Sequence, residues 1–186
     1  MNLPNTLTLI RLGLTALLVT SLSLNYPWRA SVALVIFLIA TATDYVDGVI
    51  ARKWNLITDF GKLMDPLADK VLTASVFICL IPFGALPAWV VIIIISREFL
   101  ITGLRLLASS KNIILPAEKL GKHKTAWQMA TIIYFLVLLT VSEWQGSPPS
   151  EAAWAFSQWL VGITVILTVY SGLAYLYKNR ALISAA

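Results

Sequence analysis

Apolar residues run along this chain in long, nearly unbroken blocks, and polar residues gather in the gaps between them. A bilayer core takes about 20 apolar residues per helix. Six segments meet or approach that length: Thr6 to Leu24, Trp28 onward with an apolar run from Ala30 to Thr43, Pro66 to the break at Pro82-Phe83-Gly84, Leu86 to Leu107, Lys124 to Val141, and Ala152 to Tyr177. Asn5 or Thr6 is the expected N-cap of the first helix, and Gly146-Ser147-Pro148-Pro149-Ser150 marks a turn before the sixth. The pattern predicts an all-α integral membrane protein with six transmembrane helices, folded as a single domain over residues 1–186. The opening Met1-Asn2-Leu3-Pro4-Asn5 lacks the basic residues of a signal peptide, and no small-residue cleavage pattern follows, so the first helix is expected to be retained.

Composition sharpens this picture. Of the 186 residues, 59% are hydrophobic and 12% charged, whereas a soluble domain is roughly a quarter charged. The polar surface is too small to cover a globule in water. The single cysteine, Cys79, sits in an apolar run and excludes a disulfide framework or a cysteine metal cluster; it reads as an inert buried thiol.

The net charge of +5 is explained by its distribution. Arg52, Lys53 and Lys62 fall between the second and third segments. Arg105, Lys111, Lys119, Lys122 and Lys124 fall between the fourth and fifth, and Lys178 and Arg180 follow the sixth. The opposite loops carry only Arg29, Glu143 and Glu151. Positive residues mark the cytoplasmic side, so both termini are expected there. Trp28, Trp89, Trp144 and Trp154 fall near the predicted outer ends, where indoles favour the headgroup level. The basic excess is a topological signal with phosphate-binding uses, and nucleic acid is not an expected partner.

Against this background the carboxylates stand out. The second segment runs into Asp44-Tyr45-Val46-Asp47-Gly48, and the third opens with Asp65-Pro66-Leu67-Ala68-Asp69-Lys70. Residues three or four apart share a helix face, so Asp44 with Asp47, and Asp65 with Asp69, can turn four carboxylates toward one another. Such groups near a membrane repel and are costly to desolvate. Divalent cations with all-oxygen coordination, Mg²⁺ or Mn²⁺, remove that cost and suit displacement at phosphorus. Gly48 and Gly61 lack side chains and allow close approach of backbone or substrate. Asp59 stands alone in the expected cytoplasmic loop and reads as solvated. The plainer alternative is that the aspartates cap helix ends or pair with Arg52, Lys62 and Lys70.

From Asp44 to Asp69 the chain reads Asp-x2-Asp-Gly-x2-Ala-Arg-x8-Gly-x3-Asp-x3-Asp. This resembles, without departure, the signature of the CDP-alcohol phosphotransferase family. The motif covers about a seventh of the chain, and the six-helix layout extends the likeness to nearly all of it. The resemblance implies two divalent cations, Mg²⁺ or Mn²⁺. Asp44, Asp47 and Asp65 would hold one, and Asp47, Asp65 and Asp69 the other, with Asp69 also the general base. It places Asp44, Asp47, Gly48, Ala51 and Arg52 in the CDP site, with Gly61 permitting close packing. Asn5, Thr8 and Arg11 on the first helix are further candidates to reach the cytidine or headgroup, although capping and snorkelling also account for them.

Three other stretches are similar to bacterial phosphatidylglycerophosphate synthases: Pro4 to Arg11, Ser96-Arg97-Glu98-Phe99-Leu100-Ile101-Thr102-Gly103-Leu104-Arg105, and Gly121 to Met129. That likeness implies CDP-diacylglycerol as donor and sn-glycerol 3-phosphate as acceptor, giving phosphatidylglycerophosphate and CMP. It also implies a homodimer and a bacterial inner (cytoplasmic) membrane, with the active site on the cytoplasmic side. Physical chemistry agrees on the acceptor: a phosphate needs cationic partners, and Arg suits bidentate contact. Arg97 lies inside an apolar segment, Arg105 lies two turns further on roughly the same face, and Lys124 opens the fifth helix. A structural ion pair between Arg97 and Glu98 is disfavoured, because adjacent residues on a helix point apart. Lys119, Lys122 and His123 read as a solvated polar loop. Two alternatives stay open. One keeps the family but takes another acceptor, as in a cardiolipin synthase or a phosphatidylinositol-phosphate synthase. The other is a divalent-cation transporter, which would spread its acids across the membrane's depth.

Overall fold

Six α-helices follow one another along the chain: α1 (Leu3–Ser23), α2 (Arg29–Lys53), α3 (Asp59–Leu80), α4 (Ala88–Ser110), α5 (Lys119–Gln145) and α6 (Glu151–Lys178), with one 3₁₀ turn at Ile81–Phe83 after α3. The computed structural model describes residues 3–53, 59–110, 113 and 119–180, and the side chains of these except at 3–4, 45–53, 59–60, 62–63, 119–120 and 122. Among the described residues all regular structure is helical. Four stretches are long and apolar enough to cross a membrane: Asn5–Ser23, Met64–Phe83, His123–Gln145 and Glu151–Lys178. α4 matches them in length but carries Arg97, Glu98 and Arg105 within its apolar run.

The bundle is apolar outside as well as inside. α6 turns Trp159, Ile166, Tyr170, Leu173 and Tyr177 outward, while its buried face carries Ser157, Thr164, Thr168, Ser171 and Gly172. Small and hydroxylated residues inside with large apolar residues outside is the arrangement lipid favours, because close helix packing and interhelical hydrogen bonds take over from the hydrophobic effect. Thr131 on α5 and Thr164 on α6 make such a bond, oxygen to oxygen at 2.8 Å. The chain is a multi-pass membrane protein.

α1 packs on α2 and α3, α5 on α2 and α6, and α4 on α6. The shared core includes Leu18, Phe37, Leu72, Val76, Phe77 and Phe135. At the end of the bundle away from the aspartates, Glu143 near the end of α5 caps the start of α2. Its carboxylate accepts the backbone N–H groups of Ala30 at 2.6 Å and Ser31 at 3.1 Å, and the Ser31 hydroxyl at 3.0 Å. First-turn N–H groups have no partner within their own helix and carry positive potential, so a carboxylate there satisfies both needs. α6 starts on Ser150, whose hydroxyl accepts the Ala153 N–H at 3.3 Å.

Three local expectations are corrected. α1 already begins at Leu3, so Asn5 and Thr6 lie inside its first turns rather than capping it. α3 begins at Asp59, seven residues before Pro66, which lies within the helix. A proline inside a helix forfeits one backbone hydrogen bond and crowds the preceding turn, at about 3 kcal/mol. The helix continues because α1 lies along α3 and the Thr8 hydroxyl grips Asp65, next to the proline. Asp59, expected to be solvated in a loop, is the first residue of α3, and its side chain lies outside the described residues.

Candidate active site

Successive helices alternate in direction, so the first half of α1, α3 and α5 meets the second half of α2 and α6 and the middle and second half of α4 at one end of the bundle. Every described site residue predicted from the sequence lies there. On α1, Thr8 and Arg11 are fully buried. Arg11 Nη1 pairs with Asp44 Oδ1 of α2 at 2.8 Å, and the Thr8 hydroxyl donates to Asp65 of α3. α1 thus holds one carboxylate from each of the two aspartate pairs. Asp69, one turn beyond Asp65, is half-buried and within electrostatic reach of Asp44, Arg11, Lys124 and Glu98. Gly61 is buried. Asp47, Gly48, Ala51 and Arg52 lie on α2, with side chains outside the described residues.

Beside the aspartates is a cavity of about 470 Å³ whose walls include Asp69, Lys70, Arg97, Arg105 and Lys124. The periodicity of α4 explains why its charges point inward. Val90, Ile94, Ile101, Leu104 and Ala108 form its buried stripe, and the turn missing from that stripe is the one holding Arg97 and Glu98. Arg97 reaches across to α6, where Nη2 donates to the Ser171 hydroxyl at 3.2 Å. Arg105 Nε donates to the Tyr175 hydroxyl at 3.3 Å. Lys124, buried at the start of α5, pairs with Glu98, and Lys70 donates to Thr102. The three cations expected to serve an acceptor phosphate therefore line one cavity with Asp69.

The expectation that Arg97 and Glu98 point apart is corrected: Arg97 Nη1 lies 3.1 Å from Glu98 Oε1. Both side chains are long enough to turn into the cavity, and Lys124 draws Glu98 the same way. Cys79 is half-buried rather than enclosed. Lys119, Lys122 and His123, expected in a loop, lie in the first turns of α5; His123 is exposed, as expected, and the side chains of Lys119 and Lys122 lie outside the described residues.

α6 supplies the residues that sequence reasoning missed. Ser171 and Tyr175 anchor the two arginines. Gly172 makes room for one of them, since a Cβ built there would sit 3.0 Å from Arg97 Cγ. The available signal was the row of small and hydroxylated residues on an otherwise apolar helix, which marks an inward face without saying what it meets.

The carboxylates test well against a divalent cation by their chemistry. Asp44, Asp65 and Asp69, from α2 and α3, both packed on α1, are hard oxygen donors, the donor type Mg²⁺ and Mn²⁺ select. Arg11 offsets the charge of Asp44 and the Thr8 hydroxyl aims Asp65, as partners of metal-binding carboxylates commonly do. Among the described residues no three acidic, histidine or cysteine side chains yet form a closed ligand group. The side chain of Asp47, the fourth aspartate of the set, lies outside the described residues.

Comparison with known proteins identifies the family. Residues 1–170 match the family model described as CDP-alcohol phosphatidyltransferase. The chain belongs to this family. A relative from Bacillus subtilis named CDP-diacylglycerol–glycerol-3-phosphate 3-phosphatidyltransferase is 38% identical over 190 residues, covering 96% of this chain and 95% of the relative. A protein of the same name from Rickettsia bellii is 33% identical over 170 residues, covering 91% of this chain and 92% of its own length. Members of the CDP-alcohol phosphatidyltransferase family generally depend on divalent cations.

Proposed function

We propose that this family member transfers the phosphatidyl group of CDP-diacylglycerol to sn-glycerol 3-phosphate, forming phosphatidylglycerophosphate and CMP. The observation that carries this reading is the cavity where Asp69 shares its walls with Arg97, Arg105 and Lys124. A base beside a cluster of cations suits an acceptor bearing both a hydroxyl and a phosphate. The names of the relatives from Bacillus subtilis and Rickettsia bellii point to the same pair of substrates.

In this mechanism Asp44, Asp47, Asp65 and Asp69 would hold two divalent cations, Mg²⁺ or Mn²⁺, whose charge neutralises the diphosphate when they are bound. Gly48, Ala51, Arg52 and Gly61 border the CDP moiety, with Asn5 and Thr8 on α1 beside it. Arg97, Arg105 and Lys124 bind the acceptor phosphate and turn its hydroxyl toward Asp69. Asp69 takes the proton as that oxygen attacks the β-phosphorus. The bond from the β-phosphorus to the bridging oxygen breaks, and CMP leaves with the electron pair. Proton removal by a positioned carboxylate contributes about 10²- to 10⁴-fold, and fixed positive groups stabilise charge in a water-poor site.

The basic residues that cluster at this end of the bundle support a cytoplasmic site, six spans and cytoplasmic termini in a bacterial inner membrane. The family match over most of the chain supports a single domain, and family resemblance supports a homodimer.

Arg105→Ala tests the acceptor assignment. Arg105 is exposed at the cavity wall, so the variant should raise the KM for glycerol 3-phosphate by about tenfold or more, the scale of one hydrogen bond to a charged group, about 1.5–3 kcal/mol, and leave the KM for CDP-diacylglycerol nearly unchanged. Equal effects on both substrates would count against this assignment. Gly172→Ala should act more mildly through Arg97. The displaced guanidinium should raise the acceptor KM by roughly three- to tenfold, about 1 kcal/mol, with kcat nearly preserved. Steady-state kinetics with each substrate varied in turn reads both effects.

A further inference from the structure

Glu98 has no part in the proposed bond-making, yet it stands among the charges of the cavity. Its Oε1 receives Arg97 Nη1 at 3.1 Å and also the Lys124 ammonium, so cations from α4 and α5 converge on one oxygen. The Lys124 side chain is only 3% exposed and that of Glu98 20%. Lys70 and Arg105 line the same cavity, and Lys70 lies within electrostatic reach of Glu98.

Four cations around one cavity repel one another, and burying Lys124 and most of Arg97 without a partner is costly. Without a carboxylate among them, Lys124 would turn toward the nearest available anion. Asp69 is such an anion, since it shares the cavity wall and lies within electrostatic reach of Lys124. Pairing there would draw the cation away from the acceptor site and occupy the general base. A single carboxylate held between Lys124 and Arg97 prevents this and still leaves the cavity with an excess of positive charge for a phosphate dianion.

We propose that Glu98 is a positioning residue: it holds Lys124 and Arg97 at the acceptor-phosphate site and keeps Lys124 from pairing with Asp69. This rests on the acceptor reading given above. Glu98 acts through its two cations and touches no reacting atom.

The test uses full-length protein in detergent with CDP-diacylglycerol and Mg²⁺, comparing wild type, Glu98→Gln, Glu98→Asp, Lys124→Gln and the Glu98→Gln/Lys124→Gln pair. The amide keeps the shape of Glu98 and removes its charge. Glu98→Gln should raise the acceptor KM by about tenfold or more, the scale of a lost charge-assisted contact, while the KM for CDP-diacylglycerol stays within about twofold. Glu98→Asp should fall between wild type and Glu98→Gln. In the Lys124→Gln background Glu98→Gln should add far less, because residues acting as a unit are not additive.

An unchanged acceptor KM in Glu98→Gln, or its full effect in the Lys124→Gln background, overturns the proposal. If Glu98→Gln does not fold, Glu98→Asp decides, and a wild-type acceptor KM there overturns it. The wild-type arm reports separately on the acceptor reading. If wild type uses a different phosphate-bearing acceptor, that reading falls, and the ratio of variant to wild type with the new acceptor still decides the role of Glu98. If wild type uses only acceptors without phosphate, both fall.

Discussion

Asp69→Asn lowers the rate of CMP release by about a thousandfold or more, within the range that general-base catalysis supplies, while the bundle stays folded. The amide matches the carboxylate in shape, so the packing of α3 around Ala68 and Leu72, both buried, is undisturbed. Two functions are lost together: a proton acceptor for the attacking hydroxyl and one oxygen donor of the cation set. The check is kcat at saturating levels of both substrates, beside the melting temperature of the variant. A fall in kcat with little change in melting separates a chemical role from a structural one. A modest fall in kcat with a large loss of stability would reassign Asp69 to holding the bundle together.

Chelation of divalent cations abolishes CMP release, and Mg²⁺ or Mn²⁺ restores it. The expectation follows from the carboxylates alone. Asp44, Asp65 and Asp69 lie at one end of the bundle, and at that end the charges of Arg11 and Lys124 are already engaged by carboxylates. A diphosphate brought up to these aspartates would meet carboxylate oxygens unless a cation lay between them. A second readout does not depend on turnover. A ligand that binds only the folded state stabilises it by about 2.7 kcal/mol at a hundred times its dissociation constant, so Mg²⁺ should raise the melting temperature of wild type. Asp65→Asn should lose most of that increment. Activity that survives complete chelation would remove the aspartates from the chemistry.

The layout of the chain was largely open to sequence reasoning, because lipid imposes a simple rule: each span needs its own long apolar block. Ends were read less well. Pro66 looked like the start of a helix because proline favours first turns, whereas contacts from α1 carry α3 through it. The aspartates were legible because all four sit within one short stretch at helical spacing. The arginines were legible because a charge inside an apolar block demands a reason. Glu98 pairs against the local rule: adjacency on one helix argues against contact with Arg97, and nothing in the sequence shows that Lys124 arrives from α5. Ser171, Gly172 and Tyr175 were hidden for a related reason. Their role depends on which face of α6 meets α4, and two helices separated by a third in the chain carry no local signal of that contact. Arg11 was noticed as a headgroup contact, but its burial against Asp44 required α1 and α2 to pack.

The most direct test of the central claim is CMP release by purified protein given CDP-diacylglycerol and Mg²⁺ with one acceptor at a time: glycerol 3-phosphate, inositol phosphate, phosphatidylglycerol or serine. Release with glycerol 3-phosphate alone, accompanied by a lipid product carrying the acceptor phosphate, is the predicted result. Release with a different acceptor, or none from folded protein with any of the four, would contradict it.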